Sequence, residues 1–117
     1  MKKINLVILF ILVTYQVMIA QNIMFKSFSE ENGLYGSDVN CMLQDRKGFI
    51  WIGSDNGLNR FDGNDFKIFK QQQNSENTLS DNSIWSLCED DKGNIWIGTK
   101  QGALNKYNPT TEKIFTY

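Results

Sequence analysis

The sequence of 117 residues contains no histidine, the side chain that most often acts as a general acid or base in catalysis. Asp45 and Asp90 open two similar segments, and the motif that these segments share contains no second carboxylate as a partner for glycoside cleavage or acid–base catalysis. A Ser/His/Asp set and a nucleophile motif are also missing from the sequence. We therefore expect the chain not to be an enzyme, and we interpret Asp45 and Asp90 as turn residues.

The sequence also offers little to bind a metal ion or a cofactor. Cys41 and Cys88 are the only cysteines and lie far apart in the chain, so they cannot form the close ligand pair of a zinc site. Oxygen-bearing side chains at Asp55, Asn56, Asp62, Asn64 and Asp65 could be considered as a calcium site. Their spacing departs from that of the calcium loop of an EF-hand. We expect no metal and no cofactor.

The charge distribution argues against nucleic acid as a partner. The 12 basic and 13 acidic residues give the chain a net charge of −1. The basic side chains are scattered among carboxylates, so no cluster could neutralise several adjacent phosphates. The sequence therefore lacks the basic cluster that is typical of nucleic-acid-binding proteins, and we do not expect nucleic acid as a partner.

The most informative feature is an internal repeat. Residues 45–57 align with residues 90–102 at a constant offset of 45, and 8 of the 13 positions are identical. One inserted residue, Ala103, then shifts the offset to 46, so that residues 58–62 align with residues 104–108. A period of about 40 to 50 residues is typical of propellers and repeat arrays.

In each repeat unit, turn residues separate four short runs that are rich in β-branched and aromatic residues. This pattern predicts four short strands in each unit. The predicted strands are 39–44, 49–53, 58–61 and 66–69 in the first unit and 84–89, 94–98, 104–107 and 113–117 in the second. Four antiparallel strands make one propeller blade. We therefore predict an all-β fold in which two four-stranded antiparallel blades form an incomplete propeller after an N-terminal signal helix.

Ten residues at equivalent positions of the two units are interpreted as structural. Trp51 and Trp96 each precede an equivalent glycine by two residues, and we expect both indoles to pack between blades. The glycines provide turns with positive φ or close approach of the backbone. The full set is Asp45, Gly48, Trp51, Gly53 and Gly57 in the first unit and Asp90, Gly93, Trp96, Gly98 and Gly102 in the second.

Two residues are candidates for contact with a ligand. Trp85 stands where the first unit has Asn40, so the packing of the repeat does not require an indole at this position. An indole that faces a loop surface or the central channel could stack on a sugar ring. Arg60, which aligns with Lys106, is the second candidate.

The first 20 residues have the pattern of an export signal. Two lysines precede an apolar run over residues 4–19, and the small residue Ala20 follows. We favour cleavage before Gln21. An uncleaved signal anchor is the alternative, because Met18 is a poorer fit than a small residue and the run approaches the length that spans a bilayer.

The predicted organisation has four parts. Residues 1–20 are the signal peptide or anchor, 21–33 an N-terminal edge strand and linker, 34–77 the first blade, and 78–117 the second. Within the linker, residues 24–28 alternate apolar and polar side chains, as expected for an edge strand that joins a further blade.

The two cysteines leave two interpretations open. Export would permit a disulfide between Cys41 and Cys88. They fall at non-equivalent positions of the two units, and nothing in the sequence requires them to approach. We therefore favour buried free thiols over a disulfide.

The motif Asp-x-x-Gly-x-Ile-Trp-Ile-Gly-(Ser/Thr), followed by Gly-Leu-Asn-Arg-Phe-Asp, resembles the two-component regulator propeller repeat. The resemblance covers about residues 24–117. The matching residues are Asp45, Gly48, 50–54 and 57–62, then Asp90, Gly93, 95–99 and 102–108. This repeat is typical of the periplasmic sensor regions of hybrid two-component histidine kinases in Bacteroidetes, which combine two seven-bladed propellers, an immunoglobulin-like domain, a transmembrane helix and cytoplasmic signalling modules.

The resemblance implies a periplasmic, inner-membrane-associated sensor that responds to oligosaccharides released from glycans, with the ligand and the remaining blades as partners. The chain holds about two blades and no kinase, receiver or DNA-binding part, so it resembles the N-terminal part of such a sensor. Membrane contact would come only through the signal segment or a downstream helix. One alternative is a two-blade unit that closes a propeller with identical chains. The other is a fragment of a propeller lyase, which the lack of histidine disfavours.

Overall fold

The structure is a computed structural model that describes residues 2–19, 26–36 and 38–117. It contains an N-terminal helix, α1, at Lys2–Ile19 and a short 3-10 turn at Glu30–Asn32. Eight strands follow: β1 Val39–Gln44, β2 Ile50–Ser54, β3 Gly57–Phe61, β4 Phe66–Phe69, β5 Ile84–Glu89, β6 Ile95–Thr99, β7 Leu104–Asn108 and β8 Lys113–Thr116. They form two four-stranded antiparallel sheets, which confirms the predicted fold of two blades.

Each sheet is a meander in chain order, with β1 to β4 in blade 1 and β5 to β8 in blade 2. The turn after β1 is closed by Asp45, whose carboxylate accepts the backbone N–H groups of Lys47 and Phe49 at 2.9 and 3.0 Å. Gly48 follows with φ +91°, a conformation that glycine adopts without strain. Asp90 closes the turn after β5 in the same way, so a local Asp-x-x-Gly signal sets both hairpins.

The strand register divides each sheet into two faces, because residues directly opposite in an antiparallel pair project to the same side. We call the face that carries Trp51 in blade 1 and Trp96 in blade 2 the leading face. The face that carries Ile52 in blade 1 and Ile97 in blade 2 is the trailing face. The leading face of blade 1 packs on the trailing face of blade 2.

The hydrophobic core lies between the two blades. Blade 1 contributes Trp51 and Leu58 from its leading face, and both are fully buried. The buried residues of the facing blade are Ile84, Ile95, Ile97, Tyr107 and Ile114. Burial of each large apolar side chain stabilises the fold by about 1.5–3 kcal/mol. The packing of one blade on the other therefore provides most of the apolar stabilisation.

A buried asparagine in each blade holds the chain segment that enters that blade. Asn59 accepts the backbone N–H of Tyr35 through Oδ1 and donates through Nδ2 to the Tyr35 carbonyl, both at 2.9 Å. Asn105 accepts the backbone N–H of Ser80 at 3.1 Å and donates to the Ser80 hydroxyl at 2.9 Å. These bonds fix how each connecting segment crosses the trailing face of its blade.

Replacement of Asn59 by leucine is expected to lower the free energy of unfolding by about 1–3 kcal/mol, because the Tyr35 N–H would lose its partner and the Tyr35 carbonyl would keep only the bond from the Ser54 hydroxyl, at 3.5 Å. Urea unfolding followed by circular dichroism measures the change. Gln101→Leu, at an exposed turn position, serves as the control and is expected to change the stability little. Equal stability of both variants would contradict the role given to Asn59.

The segment before blade 1, which is predicted as an edge strand for a further blade, is described from residue 26 onwards. Met24 and Phe25 lie outside the described residues, and Lys26–Phe28 belong to no strand. Phe28 instead packs on the rings of Phe61 and Phe66, with centroid distances of 4.8 and 5.8 Å. Contacts between aromatic rings, rather than backbone pairing, hold this part of the segment against blade 1.

The N-terminal helix α1 has exposed apolar side chains over residues 4–13. Over the described ranges of the chain, no helix has both the length and the apolar character of a membrane span. Ala20 and Gln21, the predicted cleavage position, lie outside the described residues.

Candidate functional site

Trp85 lies near the start of β5, and its side chain is 57% exposed. The register between β5 and β6 shifts between Ile84 and Ser86, which places Trp85 in a β-bulge. Asn40 occupies the corresponding bulge in β1. A bulge turns a side chain out of the regular alternation. This explains why the two units differ at this position without a change in their packed faces.

A polar network that joins the two blades fixes the orientation of the Trp85 indole. The indole Nε1 donates to the Ser83 hydroxyl at 3.2 Å, and that hydroxyl donates to Asp55 Oδ1 at 2.9 Å. Asn40 donates through Nδ2 to the same Asp55 oxygen and to the Ile84 carbonyl, both at 3.0 Å. Residues of both blades therefore hold Trp85 at the junction between them.

The groups beside Trp85 carry opposite charges. Hydrogen bonds from Asn40 and Ser83, together with the charge of Lys100, lower the pKa of Asp55, so this carboxylate is ionised at neutral pH. Lys100 Nζ lies 5.9 Å from the centroid of the Trp85 ring. The cluster offers an aromatic surface, a hydrogen-bond acceptor and a charged donor side by side. This combination is suited to a sugar ring, which presents both C–H groups and hydroxyls.

Arg60, the other candidate for ligand contact, lies in the interface between the blades. Its Nη1 donates to the Tyr107 hydroxyl at 3.0 Å. The centre of the guanidinium lies 4.7 Å from the Phe49 ring centroid and 5.6 Å from that of Trp51. Burial raises the pKa of Tyr107, so the phenol remains neutral at physiological pH. These contacts assign Arg60 a packing role between the blades.

A cavity of about 420 Å³ lies beside Arg60, between the turns after β1 and β5. The charged side chains around it have both signs, and one of the cations, Arg46, already pairs with Glu89 at 3.3 Å. The balance of formal charges alone gives the cavity no preference for an anionic or a cationic ligand.

The two motif aspartates also bind the motif tryptophans. Asp45 Oδ2 accepts the Trp51 Nε1–H at 2.8 Å, and Asp90 Oδ2 accepts the Trp96 Nε1–H at 2.9 Å. Sequence reasoning identified the turn but missed this link. The signal was present, since the spacing of six residues from aspartate to tryptophan is the same in both units.

The Asp90 carboxylate gives a test of this link. Hydrogen bonds from Asn94 and from Trp96 lower the pKa of Asp90 to about 2. Because this value lies below the ordinary one, the carboxylate stabilises the fold fully above about pH 4, and its contribution is lost as the pH falls towards 2. We expect the NMR resonance of the Trp96 indole N–H to titrate with a midpoint of about 2 and to lose this titration in Asp90→Asn. A midpoint near the ordinary value would contradict the hydrogen bonds that Asn94 and Trp96 donate to this carboxylate.

The fold separates the oxygen-bearing side chains considered as a calcium site. Asp55 and Asn56 form the turn between β2 and β3, whereas Asp62, Asn64 and Asp65 lie in the turn between β3 and β4, at the other end of β3. Asp62 Oδ1 accepts the backbone N–H groups of Asn64 and Asp65 at 2.8 and 2.7 Å. Among residues 2–19, 26–36 and 38–117, no group of three or more His, Cys, Asp or Glu is placed to hold a metal.

Both cysteines are free thiols. Cys41 is partly buried next to Gly53, and burial raises its pKa. Cys88 is exposed, which corrects the prediction that both thiols are buried. The reason is that Cys88 projects from the leading face of blade 2, which no other sheet covers in the described part of the chain.

Comparison with known proteins agrees with this geometry. Residues 36–56 and 78–101 match the family described as two component regulator propeller. The protein named Histidine kinase P4 of Formosa agariphila is 47% identical over 49 residues, which are 42% of this chain and 4% of that protein.

A solved structure is similar over most of the chain. It is described as the extracellular domain of a hybrid two component system of B. thetaiotaomicron, with a TM-score of 0.71 and 30% identity over 79% of this chain and 13% of that one. The chain therefore spans only a small part of either relative. The family match, the two sheets and the similar structure together show that this chain carries two-component regulator propeller repeats, with one match in each blade.

Proposed function

We propose that the chain is a non-catalytic part of the extracytoplasmic sensor region of a two-component signalling protein. The observation that carries this proposal is the pair of packed repeat blades, whose relatives are a histidine kinase and the extracellular domain of a hybrid two-component system. The basic and apolar N-terminal segment supports export to the periplasm. The blades would hold ligand-facing residues in a rigid array, and other parts of the protein would carry the signal.

The ligand class that we propose is an oligosaccharide derived from a glycan. Trp85 supports this class because its exposed indole is held in one orientation by Ser83. Asp55 and Lys100 lie next to the indole. The Asp55 carboxylate can accept hydrogen bonds from sugar hydroxyls, and the Lys100 ammonium can donate hydrogen bonds to them. The contact would be one part of a larger site to which further blades contribute.

Trp85→Ala is expected to weaken oligosaccharide binding by about fivefold to tenfold, which corresponds to the roughly 1–1.4 kcal/mol of an aromatic contact. Isothermal titration calorimetry with a panel of neutral oligosaccharides measures the change, with the chain in its natural polypeptide context. Thr111→Ala, at an exposed turn position outside the Trp85 network, is the control. Trp85→Phe is expected to recover part of the affinity.

The two ways in which this experiment can fail are distinguishable. Unchanged affinity of Trp85→Ala would remove Trp85 from the site and leave the sensor role intact. No binding of any oligosaccharide by the unmodified protein would remove the ligand class. Turnover of a glycan by the purified protein would contradict the non-catalytic assignment and favour a propeller lyase.

One observation favours a second candidate, in which identical chains close a propeller. The trailing face of blade 1 exposes Met42, and the leading face of blade 2 exposes Leu104. Propellers have about 4–8 blades, so three or four chains of two blades could complete a ring. Light scattering distinguishes the candidates, because a discrete trimer or tetramer would favour the ring.

A further inference from the structure

The cavity between the turns after β1 and β5 is lined by residues of both blades, and Arg60 is one of them. Its volume of about 420 Å³ falls within the range of roughly 300–1,000 Å³ that is typical of small-molecule sites. Its apolar lining includes Phe49, Trp51, Ile95 and Pro109. The chemistry of the cavity therefore depends on which of its polar groups are free to meet a ligand.

Most of the acidic groups around the cavity are already engaged by other groups of the chain. Glu89 pairs with Arg46 at 3.3 Å, and Glu112 pairs with Lys67 at 3.6 Å. Asp45 accepts hydrogen bonds from one indole and two backbone N–H groups. The formal charges of the lining balance, but a ligand meets only the groups that have no partner.

The basic groups around the cavity are less engaged. Lys47, Arg60 and Lys92 form no ion pair within the described ranges of the chain. Lys47 and Lys92 are exposed, whereas Arg60 is half-buried. Asp91 is the acidic lining residue whose carboxylate has no partner in the same ranges, and its side chain is exposed. The groups that remain available therefore carry an excess of positive charge.

The contacts of Arg60 between the blades leave most of its N–H groups unused. The ring centroids of Phe49 and Trp51 lie 4.7 and 5.6 Å from the centre of its guanidinium. Among the described residues, its one hydrogen-bond partner is the Tyr107 hydroxyl, 3.0 Å from Nη1. A guanidinium has five N–H donors in a planar fork. Arg60 therefore packs between the blades and still keeps donors for a ligand.

Tyr107 places a second donor beside Arg60. Its side chain is 1% exposed and lines the cavity. Its hydroxyl accepts the bond from Arg60, and no group in the described part of the chain accepts the phenolic hydrogen. Burial raises the pKa of Tyr107, so the hydrogen stays on the oxygen at neutral pH. A buried hydroxyl is stabilised when it also donates, so an acceptor in the cavity would complete its bonding.

The combination of a phenol and a guanidinium is not required by the packing of the repeat. Phe61 stands at the position of Tyr107 in blade 1, and Lys106 stands at the position of Arg60 in blade 2. The same strand positions therefore accept a ring without a hydroxyl and a cation without a planar fork. Only the junction between blade 1 and blade 2 brings both donors to one cavity among the described residues.

We propose that this cavity binds the carboxylate of a small ring-shaped acid. Arg60 donates to the carboxylate oxygens, the Tyr107 hydroxyl donates to one of them, and the ring of the ligand lies against Ile95 and Pro109. A planar group with two oxygens matches the fork of a guanidinium. A dianion such as phosphate fits less well, because Asp91 and the other carboxylates of the lining repel its second charge.

This site is separate from the Trp85 cluster and independent of the sensor role. Trp85 lies near the start of β5, whereas the cavity lies at the turn after that strand. We therefore expect Trp85→Ala to leave carboxylate binding unchanged. Failure of oligosaccharide binding at Trp85 and failure of carboxylate binding at Arg60 would be two distinct results.

NMR titration of the full chain with two acids, cyclohexanecarboxylate and glucuronate, tests the proposal. We expect saturable binding with a Kd of about 1 mM, as is reasonable for a ligand of about ten non-hydrogen atoms. Cyclohexanol and glucose have similar rings without the carboxylate, and we expect neither to bind in the cavity. The preferred acid shows whether the natural ligand is an apolar acid or a sugar acid.

Two conservative variants test the donors. Tyr107→Phe removes only the hydroxyl, and we expect it to weaken binding of both acids about tenfold, because a charged hydrogen bond is lost. Arg60→Lys keeps the charge without the fork and should weaken binding at least as much. Tyr35→Phe removes a phenol that does not line the cavity and is the matched control. Unchanged urea midpoints would show that the variants retain the fold.

Three results would overturn the proposal. The first is the absence of saturable binding of either acid by the natural chain. The second is equal affinity of the natural chain and Tyr107→Phe, which would place the carboxylate elsewhere. The third is tighter binding of inorganic phosphate or of methylammonium than of the two acids, which would contradict the ligand class. Tyr107→Phe alone decides the second point if Arg60→Lys lowers the urea midpoint.

Discussion

Trp51→Ala is expected to lower the free energy of unfolding by about 3–5 kcal/mol, the largest effect of any single substitution that we consider. Trp51 is 1% exposed and packs on Phe69 and Tyr107, with ring centroids 5.6 and 5.0 Å away. Truncation leaves a cavity between the blades and removes a hydrogen-bond donor from Asp45. Urea unfolding followed by far-UV circular dichroism measures the loss.

Trp96→Ala is the matched control for this prediction. Trp96 occupies the equivalent strand position and donates to Asp90 as Trp51 donates to Asp45. It lies on the leading face of blade 2, where it stays partly exposed. We expect this substitution to cost only about 1–2 kcal/mol, because less apolar area returns to water. Equal losses for the two variants would contradict a core that lies between the blades.

Gly53→Ala is expected to destabilise the chain by about 1–3 kcal/mol, although alanine normally costs less conformational entropy than glycine. A Cβ atom at this position would lie 2.6 Å from Ile84 Cγ2 and 2.5 Å from Cys41 Sγ. Ile84 is fully buried and belongs to blade 2, so it cannot move aside without opening the interface. The shift of the urea midpoint measures the cost.

Gly98→Ala at the equivalent position of blade 2 is the control. The added Cβ would approach the Ser86 hydroxyl, and Ser86 is exposed and free to rotate. We expect a change within about 0.5 kcal/mol. Because both glycines follow the same three residues, Ile-Trp-Ile, a difference between the variants would report the tighter packing around Gly53, by Ile84 of blade 2 and Cys41 of blade 1. A stable Gly53→Ala chain would show that the blades do not approach as described.

The strands could be predicted from the sequence because their signals are local. β1 and β5 begin and end at the predicted residues, Val39–Gln44 and Ile84–Glu89. β2 and β6 begin one residue later than predicted. Phe49 and Asn94 belong to the turns instead, where each accepts a bond from the backbone N–H of the turn aspartate. An apolar run predicts that a strand is present. The residue at which the strand begins depends on the backbone hydrogen bond that closes the preceding turn.

Contacts between distant segments could not be predicted in the same way. Asn59 binds Tyr35 across 24 residues, and its only signal was an identical asparagine at position 105. The bulge at Trp85 adds one residue to the strand, which periodicity alone does not reveal. The exposure of Cys88 depends on which face of blade 2 is covered, and no local pattern carries that information.

The central claim is that two propeller blades share one core and depend on each other for their stability. Native-state hydrogen exchange at the backbone amides of Ile52 and Ile97 tests it most directly, since these residues lie in the second strands of the two blades. We predict that both amides exchange through one opening, with equal free energies and equal dependence on denaturant, because each sheet needs the other to cover its apolar face. If either amide stayed protected under conditions in which the other exchanged freely, the sheets would fold separately and the account would be contradicted.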